Sequence, residues 1–362
     1  MHQPLGDTSP IRDGFVGTDS SVVPIPEQAA PARSAHRFAM LDGWRALSIT
    51  LVMAAHLLPI GPKSLLLNEA VAAMGMALFF TLSGFLITRF LAAEHASVRS
   101  FIIRRFFRIV PLSWLVCLLV LPLNGAPAGA YLPHFLFYAN LPPFWLLTMT
   151  SHLWSLCVEM QFYVGIALIV AVFGRRGLYS VPLVCGCVTA LRIFTGAHIS
   201  IVTWLRVDEI LAGGIVALAY SGWFGHWPMR LAGRVNVYAM LPLLLLASHQ
   251  VGGPLEYLRP YLASTMVAAS LVNAPPRLAR VFEHRIVGWV ATISYALYII
   301  HGVLMHTWLG TGDTIAKYLK RPFLIGLTFL LAHLSTYKFE QPCIAYAKRL
   351  TNSHARGPAA QT

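Results

Sequence analysis

Repeated apolar stretches, each near the length of a membrane-spanning helix, are the feature that most constrains the fold. Of the 362 residues, 57% are hydrophobic and 11% are charged, whereas a soluble domain carries roughly 25% charged residues. About 20 apolar residues in a helix cross the hydrocarbon core of a bilayer. The sequence therefore predicts an all-α polytopic membrane protein with about ten transmembrane helices. The predicted spans are 40–60, 70–92, 104–123, 151–173, 178–195, 203–221, 235–250, 257–274, 286–307 and 322–343.

The two ends of the chain differ from this apolar region. Residues 1–38 are rich in Pro, Ser, Gly and Ala and lack periodicity, which predicts a disordered tail. No apolar core lies in the first thirty residues, so a cleavable signal peptide is not expected. We expect a transmembrane domain over 39–345 and a second polar tail over 346–362.

Basic residues are concentrated in alternate loops between the predicted spans. Such loops face the cytoplasm under the positive-inside rule, and an even number of spans then places both termini there. The rule accounts for the net charge of +13 without nucleic-acid binding. One predicted outward loop breaks the rule, and its basic residues are Lys317, Lys320 and Arg321.

Arg45 and His56 lie in one apolar segment, and their spacing is informative. Eleven helical steps of about 100° return to nearly the same face, about 16 Å farther along the axis. Both side chains are costly in lipid, which favours a polar cavity along that face. The alternative is an arginine that reaches the membrane surface and a hydrogen-bonded core histidine.

Two further sets of polar side chains each share one helix face. The first set is His152, Ser155 and Glu159, and the second is Ser294, Tyr298 and His301. A glutamate inside a span should be paired or line a wet cavity. The alternatives are a structural ion pair for Glu159 and hydrogen bonds between helices for the second set.

Arg104, Arg105 and Arg108 open the predicted third helix from its cytoplasmic end. Planar guanidinium groups suit a phosphorylated ligand. Topology setting and contact with anionic lipid are the alternatives.

Other charged residues have structural interpretations. Asp208 and Glu209 follow Arg206 at a helix N-terminus, where the helix dipole favours carboxylates. Gly213 and Gly214, further along, favour close helix approach. Glu340 is predicted at a helix C-terminus, which opposes the dipole, so it should have a partner.

Known soluble catalytic motifs are missing from the sequence. There is no Walker loop and no His-Glu-x-x-His zinc motif. We therefore expect neither ATP-driven transport nor a metal site.

The ordered set of these motifs resembles the membrane-bound acyltransferase-3 family, polytopic enzymes that O-acylate surface glycans and related molecules. The blocks that carry the resemblance are Leu41–Arg45 with His56, Phe79–Ile87, Arg104–Pro111, His152–Tyr163, Ile293–His301 and Glu340–Pro342. They occur in family order across residues 41–342. Ten spans with both termini inside are also what the resemblance implies.

The resemblance implies an enzyme of the bacterial inner membrane that transfers an acyl group, most often acetyl, from cytoplasmic acyl-coenzyme A to a hydroxyl. The acceptor would be an extracytoplasmic glycan such as an exopolysaccharide or O-antigen. His56, Arg45 and Glu159 would be catalytic, with His56 as general base or acyl carrier. The implied substrate-binding residues are Arg104, Arg105, Arg108, His152, Ser155, Tyr298 and His301.

Two departures from the family pattern stand out. The usual Ser-Val-Glu-Glu-Gln block reads Cys157-Val158-Glu159-Met160-Gln161, so the first glutamate remains. Some relatives carry a hydrolase-like domain after the last span, and we expect no such domain within these residues.

Two other functions fit the same residues. One is acylation of a small natural product, such as a macrolide, in the cytoplasm. The other is secondary transport with Arg45, His56 and Glu159 along the path, although the inverted repeat common in transporters is not evident.

Overall fold

The computed structural model describes residues 30–94 and 96–353, and these residues form fourteen α-helices without a β-strand. The all-α prediction is therefore confirmed for this part of the chain. The predicted disorder of 1–38 falls largely outside the described residues, and the first helix already begins at Ala30. The helices are α1 (Ala30–Leu57), α2 (Leu67–Ala92), α3 (Val98–Leu123), α4 (Ala128–Phe135), α5 (Trp154–Phe173), α6 (Ser180–Thr195), α7 (Asp208–Tyr220), α8 (Trp227–Ala232), α9 (Val237–Leu246), α10 (Arg259–Val272), α11 (Pro276–Phe282), α12 (Arg285–Leu304), α13 (Thr314–Ser335) and α14 (Gln341–Ser353).

Five helical stretches of the described chain are long and apolar enough to cross a membrane. They are Leu67–Ala92, Val98–Leu123, Thr148–Phe173, Arg175–Thr195 and Arg285–Leu304. Only 28% of the apolar window of Arg175–Thr195 is buried, and its Phe194 is 90% exposed. An exposed apolar surface of this kind is suited to lipid. The prediction of a membrane protein is confirmed.

The count of ten spans stays a prediction, because several predicted spans correspond to short helices. The span predicted over 203–221 contains α7, whose 13 residues extend about 20 Å. The span predicted over 235–250 contains α9, whose ten residues extend about 15 Å. Neither helix alone covers a hydrocarbon core about 30 Å thick.

Helix α2 is the most buried of the five stretches, with 78% of its apolar window inside the protein. It packs against α1 on one side and α7 on another. A Cβ on Gly84 would lie 1.8 Å from the Ile210 carbonyl oxygen, and one on Gly213 would lie 2.0 Å from that of Thr81. Glycine at both positions therefore permits a close crossing of α2 and α7. The sequence predicted a close helix approach at Gly213 and Gly214, and the structure identifies α2 as the partner helix.

Asp208 and Glu209 are buried ion-pair partners as well as N-terminal carboxylates. Arg192 Nη1 lies 2.5 Å from Asp208 Oδ2. Arg259 Nε lies 2.8 Å from Glu209 Oε1, and Arg206 Nη2 lies 3.3 Å from Glu209 Oε2. The helix dipole therefore explains only part of the placement of these two carboxylates. They also pair with Arg192 of α6 and Arg259 of α10, which lie outside α7.

Glu340 does not end a helix, so that prediction is wrong. A π-helical turn over Thr336–Glu340 connects α13 directly to α14. The Glu340 carboxylate accepts hydrogen bonds from the hydroxyls of Ser335 and Thr336, each at 3.1 Å. The predicted boundary at residue 345 consequently lies inside α14, which packs against α3.

The basic residues that break the positive-inside rule lie in α13, not in a loop. Lys320 donates through Nζ to the carbonyl oxygen of Thr311 at 2.7 Å. Its ammonium group also lies 5.3 Å from the centre of the Trp308 ring. Local carbonyl and aromatic contacts therefore account for the position of Lys320, one of the three cations.

Candidate active site

A cluster of histidines lies where α1 and α12 end. His56, in the last turn of α1, places Nδ1 3.2 Å from Nε2 of His301 in the last turn of α12. The two rings are stacked with centroids 5.3 Å apart. His301 is fully buried, whereas His56 is exposed. The exposed imidazole of His56 therefore stacks on the buried imidazole of His301.

His152 and Tyr298 lie beside this pair of histidines. His152 donates through Nε2 to the Ile299 carbonyl oxygen at 3.1 Å. Tyr298 donates its hydroxyl hydrogen to the His152 carbonyl, so its oxygen can accept from Ser155 at 2.5 Å. These contacts give three of the predicted substrate-binding residues structural partners within the protein.

Glu159 lies in a separate small cavity of about 40 Å³, which is room for a few water molecules. Its Oε1 accepts hydrogen bonds from the hydroxyls of Ser83 and Tyr163. Arg45, Arg105 and Arg108 also line this cavity. Glu159 is therefore held among hydroxyls beside arginines, and its contacts do not include His56.

A larger cavity of about 290 Å³ adjoins the first and is strongly basic. Among the residues that the structure describes, no aspartate or glutamate lines it. Its five cations are Arg45, Arg104, Arg105, Arg108 and Lys348. Arg45 has an ion pair with Asp42 at 3.5 Å, and Arg104 donates through Nε to Thr351 Oγ1 at 3.0 Å. An excess of cations around a cavity of this size suits a polyanionic ligand.

The two regions lie along the same face of α1. His56 contacts His301 of α12, and the cavity at Arg45 is lined by Ser294 of the same helix. The shared face predicted from the spacing is thus observed. Because Arg45 and Ser294 lie at one end and His56 and His301 at the other, α1 and α12 run in the same direction.

Aromatic side chains lie between the two regions. The ring of Phe79, which lines the small cavity, stacks on Tyr298 with centroids 6.3 Å apart. His56 is not among the residues that line either cavity at Arg45. The structure therefore separates the cavities at Arg45 from the histidine pair, where the sequence suggested one polar stripe.

The model of the acyltransferase-3 family, described as an acyltransferase domain, matches residues 38–336. These residues include the pair of His56 and His301 and most of the residues that line the two cavities at Arg45. The chain belongs to the acyltransferase-3 family. The matched model is that of an acyltransferase domain, in agreement with the motif blocks.

One curated relative supports this membership. The peptidoglycan O-acetyltransferase OatA of Listeria monocytogenes is 22% identical over 353 residues. The match covers 83% of this chain and 55% of the relative, so the chain spans about half of that protein's length. No solved structure matches the chain.

The acyltransferase-3 fold gathers the predicted site residues into two groups. Arg45, Glu159 and the arginines of α3 line the cavities at one end. His56, His152, Ser155, Tyr298 and His301 meet at the other end. Their catalytic and binding roles stay predictions.

Sequence reasoning missed three residues of this site. Lys348 is in the predicted polar tail, where nothing in the sequence shows that α14 returns to α3. Ser83 and Tyr163 lie inside two of the recognised motif blocks, which was a usable signal. Their assignment to Glu159 required the three-dimensional contacts.

Proposed function

We propose that this acyltransferase moves an acetyl group from acetyl-coenzyme A to a hydroxyl of an extracytoplasmic glycan. One observation carries the proposal. A cavity with five cations and an exposed imidazole lie at opposite ends of one helix face. The name of the Listeria relative supports a glycan acceptor and an acetyl group.

The donor's phosphates bind in the basic cavity. Arginine pairs with phosphate through two parallel hydrogen bonds, and lysine binds it as a compact charge. Arg105 and Arg108 are the guanidinium groups best placed for this role, since both line the two cavities and Arg104 donates hydrogen bonds to Thr351 and Asn352 of α14. The extended pantetheine arm of the coenzyme suits the distance of about 16 Å along α1 from Arg45 to His56.

His56 acts at the acetyl group. In direct transfer, its Nε2 accepts the proton of the acceptor hydroxyl while the hydroxyl oxygen attacks the thioester carbonyl. The carbon–sulfur bond then breaks, and the departing thiolate takes the proton from His56. In the covalent alternative, Nε2 itself attacks the carbonyl and the carbon–sulfur bond breaks, which leaves an acetyl-imidazole and the coenzyme thiolate. The acceptor hydroxyl then attacks the acetyl carbon, the carbon–nitrogen bond breaks, and the hydroxyl proton passes to the thiolate.

The proposed orientation places both termini and the basic cavity in the cytoplasm and His56 toward the opposite side of the bacterial inner membrane. Support comes from the alternation of basic loops and from the common direction of α1 and α12. Acetyl-coenzyme A then enters from the cytoplasm, and the glycan approaches His56 from outside. The pantetheine arm then carries the acetyl thioester from the basic cavity to His56.

Reconstituted protein tests this proposal. Purified wild-type protein in nanodiscs would receive acetyl-coenzyme A labelled in the acetyl group, together with peptidoglycan fragments or polysaccharide oligomers. We expect labelled product that alkaline treatment releases as acetate. His56→Ala should lower the transfer rate about 100-fold or more, whereas binding of acetyl-coenzyme A should persist. Normal transfer by His56→Ala would contradict the assignment.

A further inference from the structure

The hydrogen bonds of His301 determine which nitrogen of His56 is free. His301 Nδ1 lies 3.0 Å from the carbonyl oxygen of Leu297, four residues earlier in α12. A carbonyl oxygen only accepts, so Nδ1 of His301 must carry the hydrogen. In the neutral ring, Nε2 is then an acceptor.

The same logic extends to His56. Its Nδ1 lies 3.2 Å from Nε2 of His301. Because that nitrogen of neutral His301 accepts, His56 Nδ1 must donate. The basic lone pair of His56 therefore sits on Nε2, on the far side of a ring that is exposed.

The surrounding packing fixes the His301 ring in this arrangement. A Cβ on Gly302 would lie 2.3 Å from the ring atoms of His152, so the glycine permits that ring to approach α12. The rings of His152 and His301 have centroids 5.9 Å apart, and His152 is itself held by the Ile299 carbonyl. His301 thus has a fixed tautomer and little freedom to turn.

The ends of two helices also favour a positive charge at this point. His56 and His301 are in the last turns of α1 and α12, where the negative ends of the helix dipoles favour a cation. Other titratable groups near this end are His152, His306, Lys63 and Glu69. Glu69 accepts a hydrogen bond from Gln250, and burial lowers the pKa of His306.

We propose that His301 is a positioning residue that holds His56 with hydrogen on Nδ1 and a free lone pair on Nε2. The proposal rests on the proposed function and replaces a substrate-binding role for His301. The neutral imidazole of His301 does the work that a carboxylate does in serine hydrolases. When His56 takes a proton at Nε2, the hydrogen bond from Nδ1 to His301 strengthens.

Two substitutions at His301 distinguish a positioning role from a purely structural role. His301→Ala removes the acceptor, whereas His301→Gln offers an amide oxygen that can replace it. For His301→Ala we expect kcat to fall about 100-fold with KM for acetyl-coenzyme A changed less than about twofold. His301→Gln should recover much of the loss. His306→Gln removes a nearby imidazole without this contact and should match the wild type.

A measurement that does not require transfer completes the test. Reaction of His56 with diethyl pyrocarbonate, followed by peptide mass spectrometry across pH, gives the pH midpoint of its protonation. Loss of the acceptor disfavours protonated His56, so the midpoint in His301→Ala should move about one pH unit lower. His301→Gln should stay near the wild type. If the wild type transfers no acetyl group, the proposed function fails, and these midpoints still test the positioning role.

Two outcomes would overturn the assignment. One is an unchanged midpoint and unchanged kcat in His301→Ala. The other is an equal loss of activity in His301→Ala and His301→Gln together with lower melting temperatures for both, which would indicate a structural role only.

Discussion

Two groups of arginines in this protein have opposite charge environments. The cluster between α6, α7 and α10 contains three arginines and three carboxylates, all buried: Arg192, Arg206, Arg259, Asp208, Glu209 and Glu256. The basic cavity between α3 and α14 has five cations and no carboxylate in its lining. The comparison indicates that charge balance, more than burial, distinguishes the arginines that join helices from the arginines that we propose to bind an anion.

The largest expected effect is in the balanced cluster. Asp208→Asn leaves the Arg192 guanidinium buried without its carboxylate, which should cost about 3–5 kcal/mol of stability. The melting temperature in detergent should fall sharply, and the yield of folded protein with it. Glu69→Gln, at an exposed carboxylate, is the control and should change stability by less than about 0.5 kcal/mol. An unchanged melting temperature for Asp208→Asn would contradict a stabilising role for the balanced cluster.

In the unbalanced cavity, removing a cation should affect binding instead of stability. Arg108→Gln should raise KM for acetyl-coenzyme A about 10- to 100-fold, because a charge-assisted contact to phosphate is lost. Its melting temperature should stay the same or rise, since repulsion among the cations decreases. Arg99→Gln, at the exposed start of α3, is the matched control. A destabilised Arg108→Gln with normal KM would place this arginine among the structural ones.

Lys348 should show a smaller effect of the same kind. It is exposed at the rim of the cavity, so Lys348→Gln should raise KM for acetyl-coenzyme A about two- to fivefold. The neighbouring Arg349 is on the same helix and does not line the cavity, which makes Arg349→Gln the control. Equal KM values for the two variants would remove Lys348 from the binding surface.

Ionic strength should have the mildest effect and still separate the two groups. Raising salt from about 0.05 M to about 0.5 M screens exposed charges and leaves buried pairs nearly unaffected. We expect weaker binding of acetyl-coenzyme A but little change in melting temperature. A simple acetyl thioester without phosphates should lose the salt dependence. If binding of the simple thioester depends on salt to the same degree, the cavity does not recognise the phosphates of the donor.

The fold class and one half of the site follow from sequence because they depend on local spacing. Helical periodicity places Arg45 and His56 on one face, and the arginines of α3 follow from their position at one helix end. Contacts between distant segments could not be predicted in this way. Arg192 and Arg259 come to Asp208 and Glu209 from other helices, and α14 brings Lys348 back to α3. Glu159 was predicted to be catalytic together with His56, but its carboxylate contacts Ser83 and Tyr163, and the His56 imidazole contacts His301 instead.

The stacked rings of Phe79 and Tyr298 have a consequence for fidelity. A thioester exposed to water is lost to hydrolysis, and a protein that spans a membrane meets water on both sides. While these rings are in contact, the sulfur end of the donor and the outer solvent stay apart. An aromatic contact at this point leaves little room for water, so the stacked pair should slow hydrolysis of the donor.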